Sequence, residues 1–511
     1  NTSTNGEIIP NISKTDITGT SIELGSGKFK KANNAKHTYL LKIYYPKKAT
    51  SQNANQGAAF SAHVEITSAK APTASNLAET ILANNEVKAP ITTPGKESNA
   101  YTKDDIVDTS TKSVDTEYQA YYITYGTGYE ADGTRFDLTG VAVTSDTYAN
   151  SYSSLVGKYL PYSSLERAGS STAGEMKDTT LLRSVYYVVS ATQNSFTYKM
   201  LYSIKNTTEA LLASTEDDYG TSYYFRGTVK NNYVQFANKC WRIVRVGGDG
   251  SVKLILHNDN PTGAANPCDA ANNSTSAAFA RYSDTTYKSK FNPYYNDNAY
   301  VGFKYGTVGA SDYASTHANT NRSTILTNLE TWYDKNNLKN YEKVIADTVW
   351  CNDKTNVTDT SYNPFGSSKA TGLGYAKNNT YYGATQRLVS TSGSTGGTGP
   401  SLKCNGELSK ITSKVGLITA DELAFAGYAY DSENPTTYLQ ENATGDDWWS
   451  LSPDRFNGLY AMVFIVSGFH RSLFNDQTVS DTCGVRPSIS LKPSTNVTGD
   501  GTSSSPFVVK I

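Results

Sequence analysis

All five cysteines and all five tryptophans of this chain lie beyond residue 239. The cysteines are Cys240, Cys268, Cys351, Cys404 and Cys483; the tryptophans are Trp241, Trp332, Trp350, Trp448 and Trp449. Tryptophan brings the largest apolar surface a core can bury. A disulfide restrains segments that hold little core of their own. A chain that gathers both in one stretch is expected to fold there around a stapled aromatic core and to build its earlier part from something else. The cysteines show no CxxC spacing and no clustering with histidine, which argues against zinc. In an exported protein, two disulfides and one odd thiol are expected. Spacing does not settle connectivity; the expected pairs are Cys351–Cys404 and Cys240–Cys268, with Cys483 left over.

At 511 residues the chain has room for roughly three domains. Lys+Arg is 46 and Asp+Glu is 47, a net charge of -1, without the basic excess of a nucleic-acid binder. There are 38 Tyr against 3 Met, a bias that suits binding surfaces, because Tyr offers amphipathic contact area at low entropic cost. No run of 18 apolar residues occurs, so direct membrane insertion as a helix is not expected. No charged-then-apolar leader opens the chain at Asn1, which suggests a mature, processed form. The end, 506–511, reads as a strand with no sorting tail after it, so wall anchoring there is not expected.

Four stretches are expected along the chain. Residues 1–70 read as a partial β-sandwich assembly unit, with strand-like runs at 21–24, 37–45 and 59–66. Residues 71–113 read as a linker with a short helix at 77–82, capped by Ser75 or Asn76 and followed by Pro90 and Pro94-Gly95. Residues 114–206 read as a second β unit, with strands at 121–125, 136–143 and 185–189 and a turn at Asp132-Gly133. Residues 210–511 read as one irregular α+β domain. It has a hairpin over 236–256 and a helix from Ser323 with Ile325, Leu326, Leu329, Trp332 and Tyr333 on one face. A second helix opens at Thr419 with Glu422 three residues on, the pattern of a capping box. The fold class expected is mainly β with a C-terminal irregular α+β domain.

Motifs for chemistry are sparse. Residues 126–131 match a dinucleotide loop formally, but a β turn follows where the phosphate would need a helix N-terminus. The histidines at 37, 63, 257, 317 and 470 are scattered and read as ordinary surface or strand positions. Asp217-Asp218 and Asp446-Asp447 read as turn or cap residues rather than calcium ligands, because no EF-hand spacing surrounds them. The informative segment is 454–476. Its turn, 468–476, is unusually apolar and basic, and Phe469, His470, Arg471, Leu473 and Phe474 are too many large side chains to bury in a short turn. Exposed apolar residues mixed with Arg mark recognition surfaces.

As a set, residues 216–227, 232–234, 240–245, 350–353, 416–422, 448–453 and 484–487 resemble a group of secreted surface proteins of gut Firmicutes. The ending is similar to C-type-lectin-like domains, including variable proteins targeted by diversity-generating retroelements. That resemblance implies that Trp448, Trp449, Gly484, Val485, Arg486 and Pro487 are scaffold. It implies that Arg455, Phe456, Tyr460, Met462, Phe469, His470, Arg471, Phe474 and Asp476 face a ligand. Residues 37–66 resemble the later strands of TasA/camelysin-type fibre proteins, which implies β-sandwich-like N-terminal units completed by strands from another copy, with 1–18 as the donated strand. Together these imply an extracellular filament or adhesin subunit at a bacterial cell surface. It would assemble with copies of itself and bind a host or bacterial surface protein or glycan, with no catalysis and no cofactor. The alternatives are a purely structural biofilm or pilus-like polymer subunit, and an oxidase built on a C-type-lectin-like fold.

Overall fold

The structure, a computed structural model, describes residues 75–96 and 209–511, apart from 284–285, 367–368, 432–436 and 469–472, together with Val156 and short strands between residues 2 and 203. The chain divides into two compact units, 1–73 with 79–86, and 74–78 with 87–511. In the first unit Thr2–Thr4 pairs antiparallel with Lys36–Thr38, so the start of the proposed donor strand is hydrogen-bonded within its own chain. The rest of 1–18 and the strand runs at 21–24 and 59–66 lie outside the described residues.

The described part is mainly β with few helices. A six-stranded sheet begins at Ile106–Val114, inside the stretch read as linker, and continues through Phe196–Ser203, Ser184–Ala191, Tyr159–Pro161, Thr127–Tyr129 and Arg135–Asp137. Thr127–Tyr129 comes from the glycine-rich match and pairs with Arg135–Asp137 as a β ladder. The rest of the expected linker also departs from its reading. Ser75–Asn76 is a strand against Asn496–Thr498, and the Lys88 amide donates to Leu212 O at 2.8 Å. The helix runs Leu77–Asn84. Single ladder bonds of this kind leave no sequence periodicity, so composition alone made the segment look like a connector.

The stapled region carries a nine-stranded sheet whose centre is Lys239–Val246. Two antiparallel neighbours flank it, Tyr233–Phe236 and Val252–Asn258. The expected hairpin is therefore a three-stranded meander. Its first turn, Ala237-Asn238, has φ of 51° and 57°. This is the two-residue, positive-φ geometry that usually shows as Asn-Gly, and here it is written in less telling residues. The end of the chain forms a strand, Phe507–Val509, parallel to Tyr233–Phe236.

The second sheet of this region holds Trp448–Phe456, Ala461–Ser467 and Leu473–Thr478 in antiparallel order. All five tryptophans are buried, and Trp241 meets Trp332 edge-on at 6.1 Å. Burial obliges an indole N–H to find an acceptor. Trp241 donates to Phe236 O at 3.0 Å, Trp332 to Asp259 Oδ1 at 3.0 Å, Trp350 to Ser413 O at 2.9 Å and Trp449 to Ser289 O at 2.7 Å. Thr324–Lys335 is capped by Ser323 and buries Ile325, Leu326, Leu329, Trp332 and Tyr333. Disulfides join Cys240 to Cys268 and Cys351 to Cys404, the two expected pairs, and Cys483 is a buried free thiol. Closing loops of this size typically contributes about 2–4 kcal/mol.

Candidate functional site

Two places in the 209–511 region gather polar or exposed groups. The first is a cleft beside the Cys351–Cys404 disulfide, lined by Asp217, Arg245, Lys253, Arg387, Asp421 and Glu422 among others. The helix Ala420–Ala426 delivers two of these acids, and a complete capping box sets its start. Glu422 Oε2 accepts from the Thr419 amide at 2.9 Å, which leaves Oε1 for Lys253 Nζ at 2.6 Å and Arg245 Nε at 3.0 Å. Arg245 Nη1 also reaches Asp217 Oδ2 at 2.8 Å. Arg387 grips Asp421 through two bonds, 2.6 and 2.8 Å, and Asp353 through a third, 2.7 Å. Each of these seven groups, four carboxylates and three cations, bonds to at least one group of opposite charge, so the network acts as a brace between the helix, the nine-stranded sheet and the disulfide.

Burial alone would raise the Glu422 carboxyl, but Lys253 and Arg245 hold it down at about 2. Burial likewise opposes Glu441, and Arg242, Lys230 and Tyr233 hold it at about 2. A carboxylate whose folded pKa lies below its unfolded value contributes stability above the unfolded value and loses it as pH falls through the folded one. The thermal midpoint is therefore expected to drop as pH falls from about 4.5 towards 2. Glu422→Gln should make that acid limb shallower. An unchanged limb in a pH series of thermal melts would remove Glu422 from the account.

The second place is the hairpin of Trp448–Phe456 and Ala461–Ser467, where the ligand-facing residues were expected. The structure separates them. Phe456 and Phe474 are wholly buried, and Phe474 packs on Phe464 at 5.3 Å and Tyr430 at 6.3 Å. Both are core, a correction with a packing cause: Trp448–Phe456 is buried along nearly its whole length, so its side chains are covered on both faces of the sheet. Arg455 bonds to Asp454 and, through Nη2 at 3.0 Å, to Asp476, with its guanidinium 4.0 Å from the Phe365 ring. Arg455 and Asp476 thus meet each other, and Tyr430 Oη donates to Asp476 Oδ1 at 2.9 Å. Met462 is half-buried. Phe469, His470 and Arg471 lie outside the described residues. Tyr460 is 41% exposed.

Tyr460 has company that sequence reading missed. Asn457 Oδ1 accepts from the amides of Leu459 and Tyr460 at 3.0 and 2.8 Å, and Gly458 takes φ of 88°. That turn pushes Leu459 and Tyr460 outward. The Ala461 amide donates to Tyr295 O at 2.7 Å, which brings the 294–295 loop alongside. The Tyr295 and Tyr460 rings lie 5.2 Å apart at 32°. Exposures of 62% for Tyr294, 42% for Tyr295 and 67% for Leu459 complete an open apolar platform. The available signal was Asn292-Pro293-Tyr294-Tyr295-Asn296, where turn residues surround two large aromatics.

The acidic pair at 446–447 is spent locally. Asp446 takes Tyr287 Oη at 2.6 Å and Asp447 takes Ser467 Oγ at 2.6 Å. Among the described residues no group of three or more His, Cys, Asp or Glu side chains is placed to hold a metal ion. No described helix is long and apolar enough to cross a membrane. Burial, with Asp447, Asp481 and Asp446, pushes the Cys483 thiol well above its usual pKa, which disfavours the thiolate. Comparison of the chain with known family models, curated proteins and solved structures finds no match.

Proposed function

We propose that the chain is a secreted filament or adhesin subunit of a bacterial cell surface. Its 209–511 region is a C-type-lectin-like display domain that binds a surface protein or glycan, and its N-terminal strands join copies of the chain by strand exchange. One observation carries the binding role. Tyr294, Tyr295, Leu459 and Tyr460 are large and exposed, and the Tyr295 and Tyr460 rings meet at 5.2 Å, on a domain whose five tryptophans are all buried and whose cleft charges are paired. Such clusters on a rigid scaffold mark contact surfaces. Flat tyrosine rings stack on sugar faces or apolar side chains, and their hydroxyls supply hydrogen bonds at the edge. Two disulfides support an exported setting, since such bonds persist in oxidising compartments. The platform keeps Tyr460 from the expected 454–476 face and adds Tyr294, Tyr295 and Leu459 to it.

The double variant Tyr295→Ala/Tyr460→Ala tests the reading. Its thermal midpoint should stay near wild type, because exposed substitutions usually change stability by only about 0.5 kcal/mol. Adhesion to cells, or binding on a glycan or surface-protein array, should fall by about thirtyfold or more, as for loss of a hot spot. Retained binding would reject the platform. Retained binding combined with failed self-assembly would favour the structural-polymer alternative, with the platform as a subunit contact.

A further inference from the structure

The two disulfides sit in opposite settings. Cys240 and Cys268 are wholly buried and pack with Tyr233 in a core cluster. Cys351 and Cys404 are only half-buried, and both line the cleft that also holds Arg387, Asp421 and Glu422. Exchange begins when a thiolate reaches a disulfide sulfur, so access decides which bridge can react in the folded chain.

The two ends of the cleft disulfide also differ. Cys351 closes the strand Thr348–Cys351, which is laddered to Lys410–Ser413. Buried Asn352 and Asp353 follow it, and Asn352 Nδ2 donates to Leu451 O at 2.8 Å. Cys404 lies outside any strand between exposed Lys403 and Asn405, and Gly406 takes φ of 73°. Its amide donates to the exposed Asp218 carboxylate at 3.1 Å. Cys404 is therefore the sulfur open to attack, with a lysine next to it in the chain to attract a thiolate, and Cys351 is the anchored leaving group.

The bridge also closes a circuit. From Cys351 the chain leads to Asp353, which holds Arg387 at 2.7 Å. Arg387 holds Asp421, and Asp421 Oδ1 accepts from the Ser401 amide at 2.9 Å, three residues before Cys404. Breaking the S–S bond opens the circuit at its one covalent cross-link and loosens the hold on Arg387. The ladder to Lys410–Ser413 and the Ser401 bond keep both cysteines near each other, so reclosure is intramolecular. The free thiol, Cys483, is buried and does not compete.

We propose that Cys351–Cys404 is an exchangeable disulfide, a latch that low-molecular-weight thiols such as glutathione open and reclose in the folded chain. The incoming thiolate bonds to Cys404 Sγ, the S–S bond breaks, and Cys351 leaves as a thiolate that takes a proton from water. A second thiolate attacks the outer sulfur of the mixed disulfide and releases Cys404 as a thiolate, which is protonated in turn. Two thiols are oxidised to one small disulfide, and the bridge is reduced to two thiols. The latch is independent of the surface platform.

The full chain is equilibrated without denaturant in graded mixtures of reduced and oxidised glutathione, quenched, alkylated and peptide-mapped. Cys351 and Cys404 should be reduced with an equilibrium constant roughly tenfold or more above that of Cys240–Cys268, about 30 mV for a two-electron couple. Circular dichroism should stay folded throughout, and the opened form should melt on the order of 5 °C lower. With oxidised glutathione, the free Cys404 of Cys351→Ser should be labelled several times faster than the free Cys351 of Cys404→Ser. Reduction of both bridges together, only where the circular dichroism is lost, would overturn the proposal. So would a Cys351–Cys404 bridge that outlasts Cys240–Cys268, or faster labelling at Cys351.

Discussion

Trp449→Ala is expected to unfold most of the 209–511 region at room temperature or leave it barely stable. The indole is wholly buried, donates to Ser289 O at 2.7 Å and meets the Phe291 ring edge-on at 5.7 Å. Truncation would forfeit the apolar burial, leave a cavity that close-packed neighbours fill only in part, and orphan the Ser289 carbonyl. Losses of this kind are about 3–5 kcal/mol, a large share of the 5–15 kcal/mol that typical domains possess. Urea denaturation followed by circular dichroism would measure it. Trp449→Phe should recover part of the loss by filling volume without restoring the hydrogen bond. A urea midpoint indistinguishable from wild type for the alanine variant would mean that the hairpin's inner face is not core.

Arg387→Leu should have an effect of similar size by a different route. Arg387 is 12% exposed in its side chain and spans Asp421 and Asp353, which are 4% and 3% exposed. Leucine would preserve much of the volume but leave two buried carboxylates close together with no cation. Removing one partner of a buried ion pair costs about 3–5 kcal/mol, mainly because the remaining charge is stranded. Adding Asp353→Asn and Asp421→Asn to Arg387→Leu should therefore restore much of the loss. A triple variant no more stable than the single one would show that Arg387 acts through packing rather than charge.

Neither result depends on the surface platform, and this separates the two kinds of residue in the region. The tryptophans and the Arg387 and Glu422 networks hold the scaffold. Tyr295, Tyr460 and Leu459 cover nothing large and are open to a partner. Reading 454–476 as one face merged these classes. Phe456 and Phe474 have the composition of a hot spot, but both are wholly buried, Phe474 against Phe464 and Tyr430. Arg455 has the chemistry of a ligand contact, but its charge is spent on Asp454 and Asp476.

The local features were written in the sequence. Ser323 before an apolar stripe and Thr419 three residues before Glu422 produce capped helices, because capping and 3.6-residue periodicity act within a few residues. The confinement of Cys and Trp to the later part located the aromatic core, because large indoles and disulfides are used where a core must be built or stapled. What tertiary structure alone decided is every contact between distant segments. Lys253 and Glu422 are 169 residues apart in the chain yet 2.6 Å apart in space. The meeting of the Tyr295 and Tyr460 rings and the strand at 75–76 are of the same kind. Periodicity and capping report which face a residue takes within its own element. They carry no information on which other element covers that face, and that covering decides whether an aromatic is core or platform and whether a charge is paired or alone.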